Sequence, residues 1–96
     1  MKETGIVLRP EVQWFAGIME SKLQQADGWK DENALWLFER LVQEVFELHE
    51  ALIKTTYSEE DVIKECADVA NFAMMIADII VAAKEVKNEL RRQNKN

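Results

Sequence analysis

With 96 residues, 48% of them hydrophobic, the chain is sized for a single domain, residues 1–96, and is too apolar to be disordered. A formal net charge of −6 argues against nucleic-acid binding, which needs clustered Lys and Arg. No apolar run approaches the roughly 20 residues that span a bilayer, so no membrane association is expected.

Met1-Lys2-Glu3-Thr4-Gly5 holds one basic residue, and only Ile6-Val7-Leu8 follows as an apolar stretch. That is too short for the core of a signal peptide. The single Cys66 allows no intrachain disulfide, and a thiol survives best in a reducing compartment. A cytoplasmic protein is the expectation.

Beyond Arg9 the sequence reads as helix with two breaks, and strand signals are absent after Gly5-Ile6-Val7-Leu8. The first helix is expected to start at Pro10, a residue suited to a first helical position. Val12, Phe15, Ile18, Met19 and Leu23 recur on it at helical spacing. Its end is expected near Asp27-Gly28, where Gly can take a left-handed C-cap conformation. A loop, Trp29-Lys30-Asp31-Glu32, follows. The second helix is expected from about Asn33 to Lys54. A third starts at Ser58, where Asp61 three residues on makes a near capping box, and runs toward Arg92. It is unusually long, and a kink or break is expected after Asp78. Lys84, Lys87, Arg91, Arg92 and Lys95 form the only basic cluster, which suits a solvated helix end.

Apolar residues cover more of the second helix than a monomer's surface helix needs: Leu35, Phe38, Leu41, Val42, Val45, Phe46, Leu48, Leu52 and Ile53. The excess area is expected to be buried against another subunit. The fold expected is therefore all-α, an antiparallel helical bundle completed by oligomerisation into a homodimer or homotetramer.

Helical spacing of about 100° per residue sets four acids among these apolar stripes. Glu65 falls in the middle of the third helix's apolar face, with Asp68 about 60° away. Glu44 sits among Leu37, Leu41 and Leu48 on the second helix, and Glu47 lies at the edge of that stripe. Buried carboxylates repel each other and cost several kcal/mol. Two remedies exist, protonation or a cation, and oxygen-only ligands suit Mg²⁺, with Mn²⁺ as the alternative. Salt bridges offer a blander account: Arg40 stands four residues before Glu44, and Lys64 four before Asp68.

Glu44-Val45-Phe46-Glu47-Leu48 and Glu65-Cys66-Ala67-Asp68-Val69 resemble the paired ExxE and ExxD motifs of MazG-like all-α NTP pyrophosphohydrolases. The order of elements is similar too, over about Val12 to Val81. Gln43 stands where many members carry another Glu. The resemblance implies a Mg²⁺-dependent enzyme that cleaves a nucleoside triphosphate to monophosphate and pyrophosphate. It implies Glu44, Glu47, Glu65 and Asp68 as metal ligands, with Glu44 or Glu47 serving the attacking water.

Further candidates come from the residues themselves. Asn71 follows Asp68 by three and offers an amide that both donates and accepts, toward a sugar or base or toward the backbone. Trp29 could stack on a base or cap the core edge, and Lys30 sits beside it. Lys22 could meet a phosphate or only water. His49 is read as a surface residue, because Phe46 breaks the Glu-x-x-His pattern of di-iron bundles. Cys66, Met74 and Met75 are read as packing residues. Lys84, Asn88 and Arg91 are similar to a phosphate-contacting stretch of some relatives, yet lie roughly 28 Å beyond Glu65 on an unbroken helix. The competing functional reading is a non-catalytic helical oligomerisation or regulatory module.

Overall fold

The computed structural model describes residues 5–25 and 28–94. Among the described residues there are three α-helices, one 3-10 turn and no strand: α1 Pro10–Leu23, the turn Trp29–Asp31, α2 Ala34–Ile53 and α3 Glu59–Gln93. The all-α expectation holds. Lys95, counted in the basic cluster, lies outside the described residues.

Each helix starts where local chemistry directs. Pro10 opens α1, and the Gln13 side chain donates back to Leu8 O at 3.2 Å. Asn33 caps α2 by accepting from the Trp36 backbone N–H at 2.8 Å. Ser58 caps α3 by accepting from the Asp61 N–H at 3.3 Å. Both caps satisfy donors that a helix N-terminus leaves orphaned.

Two boundaries differ from expectation. α1 stops at Leu23 with Gln24 as its C-cap, before the expected Asp27-Gly28. Asp27 lies outside the described residues. Gly28 does adopt a left-handed φ of +110°, but as the residue that leads into the 3-10 turn. The expected break in α3 after Asp78 is also absent, and no Gly or Pro in α3 would cause one. α3 therefore extends for 35 residues, about 52 Å.

A short connection, residues 54–58, folds α2 and α3 into an antiparallel hairpin, and among the described residues α1 packs on α3 and not on α2. Leu37 and Ala67 are fully buried between the helices, with Ala51 and Met75 nearly so. Little else is. Leu35, Phe38, Phe46 and Ile53 of α2 remain at least half exposed. Every residue from 80 to 94 is exposed, so the last third of α3 projects past the bundle. The radius of gyration is 16.9 Å, against about 12–13 Å for a compact chain of this length.

α3 is also apolar over a long stretch. It contains an 18-residue stretch that meets a membrane span by length and composition, although Asp68 and Asp78 interrupt the apolar run. Core helices of soluble bundles meet the same measure when mostly buried, whereas only 17% of this stretch is buried.

Candidate metal centre

The hairpin brings α2 and α3 together at their acids. One oxygen from each of Glu44, Glu47 and Glu65 lies within 4.8 Å of the other two. The i, i+3 spacing explains how α2 supplies two of them, since residues one turn apart share a helix side. Burial is graded across the group. Glu44 is only 7% exposed, Glu65 is half-buried and Glu47 faces water.

This geometry strains the carboxylates. Burial pushes the Glu44 carboxyl up to about 7; a hydrogen bond with Glu47 and the charges of Glu47, Asp68 and Glu65 push the same way. Glu65 is raised as well, first by burial and then by the charges of Glu47 and Asp68, with Lys22 opposing. Glu44 Oε2 and Glu65 Oε2 are buried and have no hydrogen-bond donor among the described residues. An unsatisfied buried acceptor costs about 1–3 kcal/mol. Two orphaned carboxylate oxygens beside a third carboxyl fit a shared proton or a cation, and an all-oxygen donor set fits a hard cation.

Asp68 stands apart from the triad. Its Oδ1 lies 3.3 Å from Lys22 Nζ on α1, although its charge still acts on Glu44 and Glu65. The local salt-bridge account is thus half met. Arg40 does reach Glu44, Nη2 to Oε1 at 3.4 Å. Lys64 does not reach Asp68; it turns back to Glu60 at 3.1 Å, while Asp68 finds a partner from another helix.

Beside the acids lies a cavity of about 320 Å³, lined among others by Lys22, Arg40, Glu44, Asp68, Asn71 and Phe72. Its walls run from charged groups to the apolar Phe72 and Met75. Asn71 is 3% exposed; its Nδ2 donates to Met19 O of α1 at 3.1 Å, which leaves Oδ1 buried and without a donor among the described residues. Lys22 and Asn71 therefore lie beside the acids, with Lys22 paired to Asp68 and Asn71 bonded to the backbone, the second of the two roles its sequence position left open.

Trp29 and Lys30 do not lie there. Trp29 Nε1 and Lys30 Nζ each donate to Asp78 Oδ2 at 3.1 Å, and Lys30 Nζ also lies 5.3 Å from the Trp29 ring centroid. Those hydrogen bonds hold the Asp78 carboxyl below its usual range. Asp78 lies ten residues beyond Asp68, about 15 Å along the helix. The pair pins the turn to α3, a role that local spacing does not reveal.

His49 is exposed, Cys66 is a free, partly buried thiol and Met75 is core. Lys84, Asn88 and Arg91 share a shallow hollow on the projecting end of α3. Arg40 is more than a counter-ion to Glu44. Its guanidinium lies 5.6 Å from the Phe72 ring centroid, a contact between helices with no local signature.

No protein-family model matches the chain, and no match is found among curated proteins or solved structures.

Proposed function

We propose that this chain is a Mg²⁺-dependent nucleoside-triphosphate pyrophosphohydrolase, the activity implied by the resemblance of its two acidic motifs to MazG-like enzymes. The observation that carries the reading is the convergence of Glu44, Glu47 and Glu65 within 4.8 Å, with two buried oxygens lacking donors. A cavity with two cations on its wall adjoins them.

In this reading Glu44, Glu47 and Glu65 hold the metal, and Asp68 joins them by exchanging Lys22 for it. When bound, magnesium neutralises phosphate oxygens and makes the phosphorus more electrophilic. Glu47, the most exposed of the three, takes the proton of the attacking water; Glu44 is the alternative base. Lys22 meets phosphate, and Asn71 meets the sugar or base. The products are the nucleoside monophosphate and pyrophosphate, and the role is removal of unwanted nucleotides from the cytoplasmic pool. The exposed apolar residues of α2 and α3 support a homodimer or homotetramer as the working form.

A pyrophosphate-release screen over ribo- and deoxynucleotides with Mg²⁺ tests the activity. In ¹⁸O-labelled water, label is expected in the monophosphate. Orthophosphate as first product, or no turnover of any triphosphate, would overturn the reading. Glu47→Gln is expected to lower kcat by roughly 10²-fold or more with KM little changed, because proton transfer is felt in the transition state.

The Arg40–Glu44 and Lys22–Asp68 contacts favour a second reading, a non-catalytic helical module whose acids are merely salt-bridged. Melting temperature separates the two. Mg²⁺ raises it for a metal site and leaves a salt-bridged module unchanged.

A further inference from the structure

Lys22 and Arg40 come from different helices, yet they stand in equivalent places. Each holds one carboxylate of the acidic group, Asp68 at 3.3 Å and Glu44 at 3.4 Å. Each also lines the cavity of about 320 Å³. Neither contact is tight, since charge-assisted N–H···O bonds run at about 2.7–2.9 Å. Arg40 is moreover held by groups other than its carboxylate. It donates to Gln43 Oε1, and its guanidinium rests on Phe72.

A divalent cation binds carboxylate oxygens at about 2.0–2.6 Å, well inside the reach of these two side chains. Once Glu44 and Asp68 turn to it, Lys22 and Arg40 lose their partners but remain on the cavity wall. Phosphate oxygens are the natural replacement. Arg presents a planar fork that matches phosphate in a bidentate way, and Lys acts as a point charge.

We infer that Lys22 and Arg40 form an anion clamp, held by Asp68 and Glu44 while the site lacks metal and transferred to the ligand's phosphate groups when a divalent cation takes those carboxylates. The inference rests on the metal reading above and adds an order to it. Four carboxylates outweigh two cations, so the metal-free site repels polyphosphate. A divalent ion cancels that excess and leaves Lys22 and Arg40 free to face the phosphate chain. Cation therefore binds before, or together with, the phosphate chain.

Calorimetric titration of wild type, Lys22→Gln and Arg40→Gln tests this with two probes, Mg²⁺ alone and inorganic pyrophosphate in saturating Mg²⁺. Each substitution is expected to leave Mg²⁺ affinity unchanged or tighter, because a competing positive charge is gone. Pyrophosphate affinity is expected to fall roughly 10- to 100-fold, the worth of a charged hydrogen bond. Arg40→Lys keeps the charge but loses the fork, so it should fall between wild type and Arg40→Gln. It also serves if a Gln variant fails to fold. Unchanged pyrophosphate affinity in the variants would overturn the clamp, and so would a parallel loss of Mg²⁺ affinity, which marks a structural role. Equal pyrophosphate binding by wild type with and without Mg²⁺ would overturn the order. A wild type that binds no Mg²⁺ at all is a different failure, since it removes the metal reading and this inference with it.

Discussion

Glu44 concentrates the electrostatics of the site in one side chain. Its carboxyl, raised by burial from an ordinary 4.5 to about 7, holds a proton more tightly in the folded protein than in the unfolded chain. Metal-free stability should therefore rise as pH falls from about 7 toward 4.5. Glu65, also raised, acts in the same direction. Asp78, lowered from an ordinary 3.8, weakens the fold only below that window. Mg²⁺ competes for the carboxylate that the proton takes, so its stabilising effect should fade over the same interval. Urea unfolding at pH 8, 6 and 5, with and without Mg²⁺, checks both signs. Metal-free stability that stays flat or falls on acidification to pH 5 would contradict the assignment. Helical spacing was enough to aim Glu44, Glu47 and Glu65 at one another. It could not find Lys22 for Asp68, because that partner is 46 positions away and on another helix.

At the scale of the element, start signals were legible because they are local. Pro10, Asn33 and Ser58 each act within three residues of themselves. Asn33→Ala removes the side-chain acceptor for the Trp36 N–H and should cost about 1 kcal/mol. In a domain of this size that lowers the melting temperature by about 4–8 °C, readable by circular dichroism. An unchanged melting curve would mean that packing of α2 alone fixes its start. The end of α1 was not legible, since no Gly or Pro marks Gln24. Asn71 meets α1 in that region, donating to Met19 O from across the bundle. The turn after Gly28 is likewise held by Asp78, a residue whose spacing marks it only as an interruption in an apolar face.

The whole molecule leaves too much apolar surface in water for a chain with so small a core. Phe46 is 64% exposed and Ile53 66%, both on the helix that carries Glu44 and Glu47. Soluble monomers rarely keep large contiguous apolar patches open. Static light scattering at micromolar concentration is expected to return the mass of a dimer or tetramer. A monodisperse monomer of 11.2 kDa would contradict this. The width of the apolar stripe on α2 made this expectation legible, whereas the number of subunits depends on the shape of the interface, which a stripe does not encode.

The projecting end of α3 has a consequence for amide hydrogen exchange. A helix of this length alone in water is only marginally formed, because few bonds repay its nucleation. Amides of residues 80–94 should exchange through local fraying, while those near Ala67 and Met75 wait for the bundle to open. Protection would then fall along a single continuous helix. If a second copy covers the projecting segment, its amides should be protected in concentrated solution and lose that protection on dilution. Amides near Ala67 would follow only so far as the bundle itself depends on assembly.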